Sequence, residues 1–279
     1  MNLALVAHRH TPTNLALARA RPGAQILAPA VAVRTLTEGD TAIARLDVAE
    51  RLDGIEVGLW ELARLEGAGV RVLNRPRALI AAHDKLATAR TLLDAGLPHP
   101  PTAHVTAPAE RVPFEPPYVV KPRFGSWGRD VALCQNRAAL RRHLMEIAAR
   151  PWCKAHGALV QALVQPQGDD LRLVVAGSTV VGAISRVAPP GEWRTNIAHG
   201  ATRQPVVPGP NHCELALAAA RAIEGDFVGV DLLPLPDGGY TVIELNGAVD
   251  FTQDYAFGPE DIFATALEAI LGDPVAAVA

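Results

Sequence analysis

The sequence predicts a mixed α/β and α+β protein. In roughly the first 80 residues, short apolar runs alternate with helical patterns, which is typical of a small open sheet of parallel strands. Farther along the chain, apolar runs are joined by short turns such as Gly177-Ser178 and residues 236–239, which is typical of antiparallel hairpins. The chain is therefore expected to carry two kinds of sheet in succession.

Composition excludes several classes of function. The 279-residue chain has a formal net charge of −3 at pH 7, so it offers no basic surplus for binding nucleic-acid phosphates. Apolar runs stay well below the roughly 20 residues of a membrane span, and the apolar N-terminus lacks the basic segment of a signal peptide. The 3 cysteines are widely spaced and form neither a disulfide framework nor a zinc pattern. We therefore expect a cytoplasmic protein that binds neither nucleic acid nor membrane.

The N-terminal elements follow from local patterns. Short apolar runs predict strands at residues 3–7, 25–27, 31–36, 42–46 and 70–73. Helical spacing predicts helices at residues 15–20 and 57–65. The histidines His8 and His10 lie in a polar loop without a carboxylate or cysteine at ligand spacing, so we favour a surface loop over a metal site.

A helix is predicted to begin at Asp84 and to end at Gly96. Asp84 is a good N-cap residue, an apolar stripe follows at helical spacing, and Gly96 with the prolines after it stops the helix. Lys85 lies in the first turn, where the helix dipole disfavours a cation. This position indicates a partner such as phosphate, with a solvated lysine as the alternative.

Lys121 precedes a glycine-bearing loop. Residues 118–120 predict a strand, Pro122 ends it, and residues 131–134 predict the returning strand. The loop between them, Gly125-Ser-Trp-Gly-Arg129, suits a polyphosphate because its backbone can approach closely and donate N–H groups. The pattern is not G-x-x-x-x-G-K-[ST], so an ordinary hairpin with a solvated lysine is the alternative.

The C-terminal half is predicted to hold a hairpin-rich sheet. The expected helices span residues 136–150, 214–224 and 260–271. The expected strands span residues 158–164, 171–176, 180–187, 227–233 and 240–246. A polar loop at residues 193–200 separates the first strands of this sheet from the later ones.

Asp231, Glu244 and Asn246 form the strongest chemical signal. Each lies on, or at the end of, an apolar strand, where an ionised carboxylate is costly unless it is paired or bound to metal. The two strands are joined by a short turn, and Glu244 and Asn246 lie two residues apart on one face. Three oxygen ligands on one face suit Mg²⁺. The alternative is that nearby arginines pair with the carboxylates.

Taken in order, these residues resemble the ATP-grasp ligases of the RimK/LysX group over nearly the whole chain. The motifs that carry the resemblance are Asn74-Arg75-Pro76, Asp84-Lys85, Lys121-Pro122, Gly125-Ser-Trp-Gly-Arg129, Val160-Gln161, Gly168-x-Asp170-x-Arg172, Arg194-Thr195-Asn196, Gly229-Val-Asp231 and Glu244-x-Asn246. Each motif alone is weak evidence, whereas their order and spacing together are specific.

The resemblance implies an ATP site. Lys85 and Lys121 would hold the α- and β-phosphates, the glycine-bearing loop would close over them, backbone after Gln161 would meet the adenine edge, and Asp170 would bind the ribose. The residues assigned to the nucleotide in this way are Lys85, Lys121, Gly125, Ser126, Trp127, Gly128, Arg129, Gln161, Ala162, Leu163 and Asp170.

The resemblance also implies the reacting groups. Arg194 and Asn196 would be the catalytic residues near the γ-phosphate and the carboxylate that reacts. The metal ligands would be Asp231, Glu244 and Asn246, which would hold two Mg²⁺ ions, with Mn²⁺ as a substitute. The expected substrate-binding residues are Arg186, His199, Asn246, Gly247, Asp250 and Phe251. Arg186 is a candidate for a substrate carboxylate because its planar fork matches that group.

The chain departs from the family at three positions. Ala162 replaces a common glutamate, His199 replaces a common arginine and Ala201 replaces a glycine. The ending Asn246-Gly-Ala-Val-Asp250-Phe251 is similar to the LysX branch, which adds an amino acid through its α-amine to the C-terminal glutamate of a small carrier protein. The RimK branch ends differently.

The resemblance implies three units and a ligation reaction. An N-terminal α/β domain would span residues 1–80, a central lid subdomain residues 81–158, and a C-terminal metal-carrying domain residues 159–279. The reaction would join a carboxylate and an amine through an acyl phosphate at the expense of ATP. The expected partners are an amino acid and a carboxylate acceptor such as a small acidic carrier protein, and family likeness implies a homo-oligomer, either dimer or tetramer.

Four alternatives remain at this point. A RimK-like glutamate ligase would act on a peptide or a small molecule, and a phosphotransferase on the same fold would leave the phosphate on its product. A nucleotide-binding module would bind Mg-ATP without turnover. A purely structural protein would not be stabilised by ATP.

Overall fold

The computed structural model describes residues 2–272 and contains three sheets. Met1 and residues 273–279, which belong to the first and last predicted domains, lie outside the described residues. Within residues 2–272, no helix is both long and apolar enough to cross a bilayer.

The N-terminal unit is a parallel sheet with helices, as the alternating pattern predicted. Its elements are β1 (Leu3–Val6), α1 (Pro12–Ala20), β2 (Gln25–Leu27), α2 (Pro29–Thr35), β3 (Thr41–Ala44), α3 (Leu59–Gly67) and β4 (Arg71–Leu73). The strands lie in the order β2-β1-β3-β4, and all neighbours are parallel.

The strand predicted at residues 31–36 is wrong, because this segment belongs to helix α2. The β-branched Val31 and Val33 favoured a strand, but Pro29 occupies the first helical turn, where its fixed φ suits a helix. Ala32, on the inner face of this helix, is fully buried, and the Thr35 hydroxyl donates to the Val31 carbonyl, 2.9 Å away. Tertiary packing therefore outweighed the strand propensity of the two valines.

The central unit combines helices with an antiparallel sheet. Its elements are α4 (Pro76–His83), α5 (Lys85–Asp94), β5 (Thr102–Val105), β6 (Tyr118–Pro122), β7 (Ala132–Cys134), α6 (Arg137–Ile147), α7 (Pro151–His156) and β8 (Ala158–Ala162). The sheet order is β5-β8-β6-β7. The predicted domain boundary at residue 158 falls at the start of β8, which pairs with β5 and β6. We therefore propose to place that boundary after Ala162.

The C-terminal unit is a larger antiparallel sheet. Its elements are β9 (Asp169–Ala176), β10 (Thr179–Val187), β11 (Thr202–Pro205), α8 (Pro210–Ala222), β12 (Phe227–Pro234), β13 (Tyr240–Asn246) and α9 (Ile262–Leu271). The strand order is β11-β10-β9-β12-β13. The predicted hairpins β9–β10 and β12–β13 are both present.

Four elements were not predicted from the sequence. Helices α4 and α7 begin at Pro76 and Pro151, and proline is favourable in the first turn of a helix although it breaks a helix interior. Strand β5 lies among prolines that suggested a loop. Strand β11 is exposed along its whole length, so it has no apolar alternation and is defined only by its pairing with β10.

The N-terminal and C-terminal units share one hydrophobic core. Leu5 and Ile43 of the parallel sheet pack in the same buried cluster as Val174, Phe227 and Ile270 of the C-terminal unit. Helices α1 and α9 contact each other at this junction. The N-terminal and C-terminal units are therefore packed together, and the central sheet lies opposite the C-terminal sheet.

Asn74 ties the parallel sheet to the two strands of the C-terminal hairpin. Its Oδ1 accepts from the backbone N–H groups of Asp226 and Phe227, at 2.6 and 2.8 Å. Its Nδ2 donates to the carbonyls of Phe227 and Gly247, at 2.7 and 3.0 Å. A side chain that is 1% exposed thus satisfies four backbone groups, which fixes the start of β12 and the end of β13.

Candidate active site

A deep cleft lies between the central and the C-terminal sheets. The cleft and the open space at its mouth together measure about 1020 Å³. All the residues that the sequence assigned to the nucleotide line this cleft, as do Arg186, Arg194, Asn196, Asp231 and Glu244. The structure therefore brings together side chains that are as far apart in the chain as Lys85 and Glu244, which are separated by 159 residues.

The two lysines lie side by side in the cleft and are both buried. Lys85 Nζ donates to the Gly125 carbonyl at 2.6 Å and to Glu244 Oε1 at 2.9 Å. Lys121 Nζ donates to Gln161 Oε1 at 2.8 Å. Burial, together with the charge of Lys85, lowers the pKa of Lys121 to about 8, although Glu244 partly opposes the shift. Two crowded ammonium groups are well suited to a polyphosphate.

The start of α5 anchors the strand that carries Lys121. Asp84 caps the helix by accepting from the N–H groups of Leu86 and Ala87, at 3.1 and 3.4 Å. The same carboxylate forms a bidentate pair with Arg123, whose Nε lies 2.7 Å from Asp84 Oδ1. Since Lys85 N also donates to the Arg123 carbonyl at 3.1 Å, the two lysines are held in a fixed relation.

The glycine-bearing loop reaches across the cleft. Trp127 and Gly128 adopt left-handed φ values of 61° and 69°. A Cβ on Gly128 would lie 2.8 Å from Asn196 Oδ1 and 2.9 Å from His199 Nε2, so a larger residue here would displace these two side chains. Residues 125–129 of the central unit therefore touch the polar loop of the C-terminal unit above the cleft.

Two backbone N–H groups at the inner end of the cleft already donate hydrogen bonds within the protein. The Ala162 N–H donates to the Pro101 carbonyl at 2.9 Å, and the Leu163 N–H donates to the Pro117 carbonyl at 3.1 Å. An adenine edge would therefore meet the carbonyl groups of this segment or the next residue, Val164, which also lines the cleft.

An ion-pair cluster forms the floor of the cleft. Asp231 accepts from Arg172 Nε and Nη2 at 2.6 and 2.7 Å and from Arg186 Nη2 at 2.9 Å. Arg186 also forms a bidentate pair with Asp170, to which Thr195 donates its hydroxyl at 2.6 Å. Burial would raise the pKa of Asp231, but the charges of Arg172 and Arg186 outweigh it and lower the pKa to about 2.

These contacts bear on two predicted roles. Arg186 is 4% exposed and its guanidinium faces two carboxylates of the protein, so the structure gives no support for its binding a substrate carboxylate. Asp170 is 2% exposed and engaged by Arg186 and Thr195, although it lines the cleft where a ribose would lie. Both residues contribute to the site by organising its floor.

The catalytic candidates Arg194 and Asn196 both line the cleft, and Asn196 also borders a second cavity. Arg194 forms a bidentate pair with Glu192, with Nε at 3.0 Å and Nη2 at 2.8 Å from its two oxygens. The Arg194 side chain and backbone N–H groups lower the pKa of Glu192 to about 2. Asn196 lines both cavities.

The predicted metal ligands are neighbours on β12 and β13. Asp231 and Glu244 lie opposite each other, and a bulge at Ile243, the residue before Glu244 in β13, adjoins the pair. Asn246 Nδ2 is buried without a hydrogen-bond partner, which indicates a polar ligand for this side chain. Within residues 2–272, no group of three or more His, Cys, Asp or Glu side chains is placed to hold a metal. The carboxylate oxygens of Glu244 and the amide oxygen of Asn246 are of the kind that Mg²⁺ takes as ligands, whereas Asp231 is engaged by Arg172 and Arg186.

The second cavity adjoins the cleft and, with the open space at its mouth, measures about 700 Å³. The wall that it shares with the cleft consists of Ser126, Trp127, Arg186, Asn196 and Glu244. Charged and polar groups line the rest of it, from both the N-terminal and the C-terminal units, namely Asp47, Arg172, Arg203, Asn246, Asp250 and Tyr255. The shared wall would bring a ligand of the second cavity next to the phosphate end of a ligand in the cleft.

Three predicted substrate residues lie outside the wall of the second cavity. Phe251 is 3% exposed, and its ring stacks on Phe263 with centroids 4.9 Å apart in the shared core. Gly247 packs against Leu79, since a Cβ there would lie 2.8 Å from that side chain. His199 contacts Gly128 of the loop, and its Nε2 is buried without a partner. Of the expected set, Arg186, Asn246 and Asp250 line this cavity.

Sequence reasoning missed several residues of the site. Arg172 was named in the motif Gly168-x-Asp170-x-Arg172 but was given no role, although it lies two residues from Asp170 on one strand and so shares its face. Arg203 lies opposite Arg186 on an exposed strand that the sequence did not reveal. Asp47 comes from the N-terminal unit, and no local pattern connects it with the cleft.

The fold and the cleft define an ATP-grasp enzyme. The chain superposes on a RimK-domain ATP-grasp protein from Sphaerobacter thermophilus with a TM-score of 0.68 at 22% identity, covering 98% of this chain and 100% of that one. It superposes on the D-cycloserine synthetase DcsG with a TM-score of 0.71 at 20% identity, covering 96% and 98%.

Residues 82–259 match the RimK-like ATP-grasp domain, and the chain belongs to this family. It is 33% identical over 218 residues to the glutamate–LysW ligase ArgX of Sulfurisphaera tokodaii, covering 75% of this chain and 76% of the relative. It is 31% identical over 193 residues to the α-aminoadipate–LysW ligase LysX of Saccharolobus solfataricus, covering 67% and 69%. The prediction of an ATP-grasp ligase of the RimK/LysX group is thereby confirmed.

Proposed function

We propose that this ATP-grasp ligase joins an amino acid, through its α-amine, to a glutamate-type carboxylate presented by a small carrier protein. The observation that carries the proposal is the pair of adjoining cavities with one shared wall. The cleft offers two buried cations to a polyphosphate, and the second cavity offers a charged, roomy site for the groups to be joined. The relatives named as LysW ligases support a carrier protein as the partner.

In this proposal the residues of the cleft bind and orient ATP. Lys85 and Lys121 hold the α- and β-phosphates, and the loop of residues 125–129 closes over them and excludes water. Lys85 is already fixed by the Gly125 carbonyl and by Glu244, so its charge is oriented before the nucleotide binds.

The reaction proceeds in two steps at the shared wall. A carboxylate oxygen attacks the γ-phosphorus, which forms the acyl phosphate and releases ADP. The amine nitrogen then attacks the acyl carbon, the carbon–oxygen bond to phosphate breaks, and the amine loses a proton. Arg194 and Asn196 lie where they would contact the transferred phosphoryl group. Glu244 and Asn246 would hold Mg²⁺, which would neutralise charge on the phosphates.

A cytoplasmic location and assembly as a homo-oligomer stay predictions. Arg203 and Asp250 place opposite charges in the second cavity, which suits a substrate that carries both an amine and a carboxylate. The acidic or neutral character of the acceptor is left to experiment.

The test is phosphorus NMR with mass spectrometry on the full chain, Mg-ATP, an amino-acid pool, and either a carrier-type protein or a peptide that ends in glutamate. ADP, free phosphate and an acceptor heavier by one amino-acid residue would support the proposal and identify the amine. Activity on the peptide alone would favour a RimK-like glutamate ligase, and a phosphorylated product would indicate a phosphotransferase. The absence of any ADP would contradict turnover.

A further inference from the structure

We propose that His99 is a positioning residue that orients Gln161 and, through it, the ammonium group of Lys121. His99 lies in the loop before β5 and stands outside both cavities. It is joined to Lys121 by a short chain of hydrogen bonds through Gln161. This inference rests on the proposed role of Lys121 in binding the nucleotide phosphates.

The hydrogen bonds around Gln161 determine which way its amide faces. Its Oε1 accepts from Lys121 Nζ at 2.8 Å, while its Nε2 lies 2.7 Å from Thr102 Oγ1 and 3.2 Å from His99 Nε2. The reversed amide would direct N–H donors at the lysine ammonium, which has no acceptor. Gln161 is 2% exposed, so water cannot replace these partners easily.

Neighbouring carbonyls fix the proton positions of the two groups, on Thr102 and His99, that accept from the Gln161 amide. The Thr102 hydroxyl donates to the Pro100 carbonyl at 2.9 Å, which leaves its oxygen free to accept from Gln161. His99 Nδ1 lies 2.8 Å from the Val242 carbonyl, and a carbonyl can only accept. Nδ1 must therefore carry the proton, and Nε2 of a neutral ring accepts from Gln161.

The neutral state of His99 agrees with its surroundings. Burial and the positive charge of Lys121 lower the pKa of His99 to about 4, against a raising effect of the bond to Val242. A protonated ring would present a second N–H to the Gln161 amide group and break the chain of bonds. With the neutral ring, each of the two N–H donors of the Gln161 amide has an acceptor, one on Thr102 and the other on His99.

The same histidine links the two sheets that form the cleft. Val242 belongs to β13 of the C-terminal sheet, two residues before Glu244, whereas Gln161 belongs to β8 of the central sheet. The Val242 N–H also donates to the Pro98 carbonyl at 2.9 Å, so the segment before β5 is bonded to both the N–H and the carbonyl group of Val242. His99 thereby sets the distance between Lys121 and the strand that carries Glu244.

The tautomer can be measured directly. Long-range ¹H–¹⁵N spectra of the full chain labelled at histidine, recorded at neutral pH, should show a neutral ring protonated at Nδ1, assigned by its loss in His99→Gln. A ring protonated at Nε2, or a doubly protonated ring, would overturn the hydrogen-bond scheme.

The positioning role is tested by calorimetric binding of Mg-ATP. His99→Leu removes the acceptor and should weaken binding about tenfold, the equivalent of about one neutral hydrogen bond. His99→Gln keeps an amide oxygen near the place of Nε2 and should restore affinity to within about twofold of wild type. Thr102→Val, which removes the second acceptor, should cause a loss of about threefold, and it serves as the test if His99→Leu does not fold.

His104→Leu is the matched control. His104 also bonds a backbone carbonyl, that of His156 at 2.7 Å, and it lies on β5, the strand that begins at Thr102, but outside this chain of bonds. It should lower thermal stability without changing ATP affinity. Equal affinity losses in the two leucine variants would overturn the positioning role. Lys121→Ala separates the two proposals. If it binds ATP with normal affinity, the proposed role of Lys121 in phosphate binding fails. If Lys121→Ala weakens binding and the His99 variants do not, only the inference on His99 fails.

Discussion

Arg172 and Asp231 face each other across strands β9 and β12 and form a bidentate ion pair. Arg172 Nε and Nη2 lie 2.6 and 2.7 Å from the two carboxylate oxygens, and the two residues are in direct register. Arg186 adds a third bond to the same carboxylate. The carboxylate that the sequence assigned to metal is thus held by two arginines at the floor of the cleft.

Removing Arg172 should destabilise the fold because Asp231 is 3% exposed and would lose a bidentate partner. We expect Arg172→Ala to lower the free energy of unfolding by about 3 kcal/mol, the usual cost of breaking a buried pair from one side. Urea denaturation measures this change. Arg141→Ala, on the exposed face of α6, is the control and should stay within about 0.5 kcal/mol of wild type. Equal stability of the two variants would show that the pair is not structural.

Glu244→Ala should abolish turnover and leave the fold intact. The Glu244 side chain is 24% exposed and contacts Lys85, so its removal frees the lysine and removes a proposed Mg²⁺ ligand at little cost in packing. ADP release and the thermal melting curve measure the two effects separately. Glu146→Ala, on the exposed face of α6, is the matched control for loss of one carboxylate. Normal turnover by Glu244→Ala would refute the assignment of Glu244 to the metal.

Gly128→Ala should weaken ATP binding more than it weakens the fold. Its φ of 69° costs an alanine about 1 kcal/mol, and its Cβ would also meet Asn196 and His199. Gly23→Ala is the matched control, since its φ is 86° and nothing lies within 4 Å of a Cβ there. Both variants should lose similar stability in urea, whereas only Gly128→Ala should raise KM for ATP. An unchanged KM would mean that the loop does not close over the nucleotide.

ATP affinity should fall as the pH rises through about 8. The lowered pKa of Lys121 means that its ammonium is fully charged below this value and loses its proton above it, earlier than an ordinary lysine with a pKa of 10.5. Calorimetry of Mg-ATP binding between about pH 7 and about pH 10 measures the effect. Lys121→Arg stays charged throughout, so its affinity should change little over this range. A flat profile for the wild-type protein would contradict the role of this lysine.

Local patterns in the sequence predicted much of the fold. The parallel N-terminal sheet, the hairpin that carries Lys121 and the β12–β13 pair were predicted correctly because each depends on neighbouring segments of the chain. The motif order that resembles the RimK/LysX group also predicted which residues would line the cleft. These features depend on spacing and residue type, which the chain itself contains.

Tertiary structure alone decided the partners of those residues. Asp231 pairs with Arg172 and Arg186 because β9, β10 and β12 are adjacent in the sheet, although 59 residues separate the first pair and 45 the second. Phe251 was predicted to contact substrate but packs in the core that the N-terminal and C-terminal units share. The physical reason is that burial and ion pairing depend on which surfaces the packed sheets bring together, and no local pattern of residues records that choice.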